Sequence, residues 1–124
     1  NATNDLLLSV RNTSDVCYAS VNNRDDQYLA SITDSRGLWM VSRIARASSQ
    51  IYRNGLLKDT EADASTGMPN GEIWVLASSV GTPTYTAYQA SIFFIMNGIV
   101  DATEAAKINV IFERYMDRIG SGVQ

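Results

Sequence analysis

The sequence predicts a mostly β, antiparallel fold closed by one C-terminal helix, and three observations predict it. Serine, threonine and asparagine supply 31 of the 124 residues, a bias toward turn-rich β structure. Short β-prone runs separated by turn-forming residues fill the first hundred positions. Behind Asp101 the apolar spacing then changes to three and four, the period of a helix. With 45% hydrophobic and 19% charged residues the balance is that of an ordinary globular chain. At this length residues 1–124 read as a single domain, able to bury about two-thirds of its unfolded surface.

Residues 6–11, 16–21 and 28–32 are β-prone and should form a meander. The first break holds Asn12, Thr13, Ser14 and Asp15, and the second holds Asn22, Asn23, Asp25 and Asp26. Residues 37–45 alternate Trp39, Val41 and Arg43 with Leu38, Met40, Ser42 and Ile44, a strand with both faces largely buried. Asn54 and Gly55 between two β-prone pieces are the favoured central pair of a type I′ turn, so 50–53 and 56–59 should pair as a hairpin. Residues 62–71, with Gly67, Pro69, Asn70 and Gly71, read as a loop. Residues 72–78 form a strand with Ile73, Val75 and Ala77 on one face and Trp74 and Leu76 on the other. Gly81, Thr82 and Pro83 break it, and a longer strand over 86–96 follows. Its run Ile92, Phe93, Phe94, Ile95 is read as buried on both faces. Asp101 with Glu104 three residues on is an N-terminal capping signal. Ala105, Ile108, Phe112, Tyr115 and Ile119 make one apolar face, and Gly120 stops the helix.

The composition removes much enzyme chemistry. Without histidine and with Cys17 alone, ordinary zinc sites, internal disulfides and every Ser-His-Asp or Cys-His arrangement are excluded. Cys17 reads as a small buried hydrophobe. Net charge is −3, with eight arginines and two lysines scattered along the chain, so no nucleic-acid or anionic-membrane partner is expected. No apolar run approaches the ~20 residues that cross a bilayer, and no membrane insertion is expected. The chain opens on Asn1 without a signal-peptide pattern, which reads as a processed or excised piece.

Taken in order, Gly37 to Arg43, Tyr52 to Leu56, Ala64 to Gly71, Ile73 to Val75, Gly81 to Pro83, Gln89, and Asn97 and Gly98 ahead of Asp101 form a pattern. Over residues 36–120 this pattern resembles the concanavalin A-like, laminin-G-like jelly roll. More narrowly, it resembles the jelly-roll domains of phage tail and other virion proteins. The resemblance implies a jelly-roll-like antiparallel β-sandwich with one C-terminal helix. It further implies a virion context, homo-oligomeric or particle-bound partners, and strands upstream of Asn1 or from another chain that complete the fold. The function it implies is a non-enzymatic virion module, of a tail fibre, spike or capsid decoration, that recognises a cell-surface glycan. A purely structural assembly or attachment domain is the alternative.

Four groups of residues could carry chemistry. Trp74, Tyr85 and Tyr88 are the glycan-binding candidates, because aromatic rings stack on pyranose faces. Glu61 and Asp63 are similar to the first two carboxylates of the E-x-D-x-x-E pattern of jelly-roll glycoside hydrolases. Thr66 stands where the third should be, so they read as a solvated turn and no catalytic residue is expected. Asn22, Asn23, Asp25 and Asp26 are oxygen donors of the type Ca²⁺ accepts, but no D-x-D-x-D-G loop accompanies them. They read as a polar turn, and neither metal nor cofactor is expected. Asn1 and Asn12 begin N-glycosylation triplets, which arise readily by chance in a chain this rich in asparagine, serine and threonine.

Overall fold

The computed structural model describes residues 5–23, 27–68, 77–78, 84–85 and 90–120. Among them the chain is mostly β, with one helix. The strands are β1 (Asp5–Ser9), β2 (Cys17–Asn23), β3 (Gln27–Leu29), β4 (Trp39–Ala45), β5 (Ser48–Arg53), β6 (Leu56–Glu61), β7 (Ala77–Ser78) and β8 (Thr84–Tyr85); the helix is α1 (Ala102–Arg118). Strands β1-β2-β3 form one antiparallel sheet, β4-β5-β6 a second, and β7-β8 a two-stranded ribbon. Every pairing among the described strands joins sequence neighbours, so these are meanders, and no Greek-key crossing occurs among them.

The first meander follows the turn chemistry. Asn12 Oδ1 accepts hydrogen bonds from Ser14 N at 2.9 Å and Val16 N at 3.0 Å, and Asp15 takes a positive φ of 56°. Asn22, at φ 58°, is the extra residue where the β1–β2 register slips between Asp5 and Leu6. β3 is shorter than the sequence suggests: backbone after Leu29 leaves the ladder, and Ser31 turns it at φ 63°.

The second meander is the middle layer. Its β5–β6 hairpin has the expected turn, with φ of 51° at Asn54 and 74° at Gly55, and Arg53 faces Leu56. Strand alternation sends each side of the sheet into its own core. On one side Trp39 and Ile51 meet Cys17 and Ala19 of β2, with Leu8, Val10, Leu29, Ile32 and Val41 around them. On the other side Met40 and Tyr52 meet Ala105 and Ile108 of α1, with Leu38, Phe94, Val100 and Phe112 around them. β4 is therefore buried on both faces, as its two-sided apolar pattern predicts.

α1 begins as expected. The Asp101 carboxylate accepts from Thr103 N at 2.8 Å and Glu104 N at 2.9 Å, satisfying two amides that have no partner inside the helix. It ends at Gly120, φ 72°, whose N–H donates to Asp117 O at 3.1 Å.

Two expectations are corrected. Of the strand expected over 86–96, the described part, 90–96, contains no strand, and its apolar run is covered on one side only. Phe94 points inward and stacks on Phe112 at 4.9 Å, while Phe93 and Ile95 remain 57% and 56% exposed. The second correction concerns α1, whose apolar face docks only through Ala105, Ile108 and Phe112. Tyr115 and Ile119 are each 53% exposed, because the second core reaches along α1 no further than Phe112.

Candidate interaction surface

The structure reaches the expected glycan site only in part. Trp74 and Tyr88 lie outside the described residues. Tyr85 lies in β8 opposite Ala77, with its backbone alone described. Of the possible cation ligands, Asp25 and Asp26 lie outside the described residues as well. Asn23 pairs with Asp5, and the Asn22 carbonyl accepts from Thr66 N at 2.9 Å. Among the described residues no three acidic or cysteine side chains come together as a metal site would require. Glu61 closes β6, and its carboxylate accepts from the neighbouring Ala62 N at 3.2 Å, while the Asp63 carbonyl accepts from Arg43 Nη1 at 2.8 Å. Cys17 is fully buried, and burial pushes its thiol up to about 11.

Two polar devices that sequence reasoning missed hold loops onto the middle sheet. Arg43 spans the two sheets, its Nε donating to Val21 O at 2.6 Å and its Nη1 to Arg46 O at 3.0 Å and Asp63 O. The second device surrounds Trp39. Its indole donates to Ser35 O at 3.0 Å, and the Arg53 guanidinium lies over the ring at 5.1 Å. Arg53 also donates to Arg36 O, and Asp34 bridges Arg36 at 3.0 Å and Arg53 at 3.4 Å. The alternating pattern placed Trp39 correctly in the core; the arginines gave little local signal because, Arg46 O apart, the backbone acceptors of Arg43 and Arg53 lie 17 to 22 residues away.

Among the described residues several large apolar side chains remain uncovered. Phe93, Ile95, Met96 and Ile99 are exposed along the chain leading into α1. That chain is anchored by Phe94 and Val100, whose backbone N donates to Ser42 Oγ at 3.0 Å. On α1 itself Val110, Ile111 and Tyr115 are exposed, Ile111 at 64%, together with Ile119 just past its end. An amphipathic surface helix normally presents mostly polar and charged groups there; here apolar side chains share the outer face with Lys107, Arg114 and Arg118. The sequence carried a signal for it: Val110 and Ile111 lie off the 105–108–112 stripe that the core consumes. Charged residues run along α1 from Glu104, which accepts from Lys107 Nζ at 2.8 Å, through Glu113, Arg114 and Asp117 to Arg118 in the last turn. No helix among the described residues is long and apolar enough to cross a membrane.

No family model matches the chain, and neither the curated proteins nor the solved structures contain a match to it.

Proposed function

We propose that the chain is a non-enzymatic assembly module of a virion, a jelly-roll-type domain that joins copies of itself into the particle. The observation that carries this reading is the exposed run Phe93, Ile95, Met96 and Ile99 on backbone fixed beneath by Phe94 and Val100. Apolar side chains held in place, rather than collapsed, suit association with another protein surface. The virion context and the jelly-roll topology rest on the sequence pattern over 36–120. Glycan recognition by Trp74, Tyr85 and Tyr88 is the reading this one displaces, and the same experiment separates them.

Sedimentation of the full chain is compared with that of Phe93→Ser/Ile95→Ser, and both proteins are applied to a glycan array beside Trp74→Ala. An assembly module associates, loses association in the double variant and leaves the array silent. A chain that stays monomeric and binds a glycan through Trp74 would overturn the assembly reading in favour of receptor recognition.

A further inference from the structure

The geometry points to the outer face of α1 as a two-fold contact with a second copy of this chain, the two helices antiparallel and crossing at Ile111. This inference rests on the assembly reading and specifies one of its contacts. Ile111 is 64% exposed at the middle of the uncovered face. On either side of it lies a shallow depression, one lined by Ala106, Lys107, Val110 and Ile111, the other by Ile111, Arg114, Tyr115 and Arg118. Side chains of a facing helix insert into depressions of this kind.

Charge selects the partner. Glu104 and Arg118 stand seven residues before and seven after Ile111, two helical turns in each direction, with opposite charge. A two-fold axis through Ile111 is isologous, so a residue at a given distance on one side meets the residue at the same distance on the other. Glu104 of each copy then faces Arg118 of the other, twice over. Lys107 of each copy likewise lies beside the phenol of the other copy's Tyr115. A parallel arrangement would set Glu104 on Glu104 and Arg118 on Arg118, and like charges oppose it. At the Glu104 and Arg118 positions the helix is thus complementary to its own reverse, while Arg114, three residues after Ile111, falls opposite Ile108 of the other copy and not opposite its own counterpart.

Sedimentation equilibrium of the full chain tests this. The wild-type chain is expected to dimerise. Ile111→Arg, which keeps helix propensity and places two cations across the axis, should weaken the dimer at least about 30-fold, the scale of a central contact residue. Glu104→Arg and Arg118→Glu should each weaken it roughly five-fold, as expected for two exposed ion pairs. The two changes combined should restore it, a recovery that a merely structural role would not produce. Circular dichroism verifies that each variant remains folded. Association that survives Ile111→Arg but is lost in Phe93→Ser/Ile95→Ser overturns the helix contact and leaves the assembly reading standing. A wild-type chain that stays monomeric at about 100 µM overturns both.

Discussion

Gly55 lies against the backbone of α1: a β-carbon built on it would stand 3.0 Å from Ala106 Cα and 3.0 Å from Asn109 Cβ. The same residue needs φ 74° for the hairpin turn. Glycine is therefore required twice, once by the turn and once by the closeness of helix and sheet. Gly55→Val should cost about 1–3 kcal/mol from the backbone alone. A further loss should follow as α1 is pushed off Tyr52. Thermal unfolding measures the total, and near-ultraviolet circular dichroism reads the loosened Tyr52. A variant within about 0.5 kcal/mol of wild type would contradict both requirements.

Position along α1 should decide the cost of truncation. Phe112 stacks on Phe94 and joins the second core while keeping some exposure, so Phe112→Ala should destabilise by about 2–4 kcal/mol. Asp101→Ala removes a cap that serves two amides and should cost about 1 kcal/mol. Tyr115→Ala, outside the core, should change monomer stability by less than about 0.5 kcal/mol. Chemical denaturation of the three variants gives the order directly. A Tyr115 loss equal to that of Phe112 would mean that the core reaches further along the helix.

Cys17 should be inert in the folded protein. Burial disfavours its thiolate, so at pH 8 a disulfide reagent should label it only through opening of the first core. The rate should rise by orders of magnitude in denaturant. Equal rates in both conditions would place the thiol at the surface.

Asp34 should stay ionised to unusually low pH. Hydrogen bonds from the Arg36 side chain and backbone N–H hold its carboxyl at about 2, below its ordinary 3.8, with the charge of Arg53 assisting. Because the folded value is the lower one, the interaction contributes fully above about pH 4 and is lost as pH falls through 2. Both partners are exposed to solvent, so salt should screen part of it. Titration followed by carboxyl carbon NMR should show the depressed midpoint, and Arg36→Ala should raise it toward 3.8. An unmoved midpoint in that variant would exclude the Arg36 side chain as the cause and leave the backbone N–H, which alanine retains.

Features set by neighbouring residues were legible in the sequence. The Asn54-Gly55 turn, the Asp101 cap and the Gly120 stop each depend on conformations or hydrogen bonds within a few positions, so the local order of residues reveals them. The two faces of β4 were legible because alternation is also local. Ile92 to Ile95 misled because an apolar run states a demand for cover without saying whether a partner strand supplies it. Tyr115 misled for a related reason: helical spacing identifies a face, but the length over which the sheet supports that face is a tertiary fact. Arg43 could not be placed at all, since its acceptors Val21 and Asp63 are brought to it by the packing of two sheets. The glycan-binding candidates gained least, because Trp74 and Tyr88 fall outside the described residues.

The middle sheet faces apolar groups on both sides, and this changes what keeps its strands aligned. In a sheet with one wet face, a slip of a single residue turns the hydrophobic set into water and is heavily penalised. Here a slipped β5 would exchange Ile51 and Tyr52 between two dry layers, so oiliness alone discriminates poorly between alignments. Polar fasteners must supply the discrimination. Asn54 is the principal one: its Oδ1 accepts from Leu38 N at 2.9 Å while its own N–H donates to Leu38 O at 2.8 Å, pinning the turn to the start of β4. Lys58, left unpaired where the β5–β6 register shifts, is a second marker that a slipped strand could not reproduce. Alignment in this layer is thus kept as a lock keeps it, by a few shaped pins, and weakening Asn54 should release misaligned strands before it releases the cores.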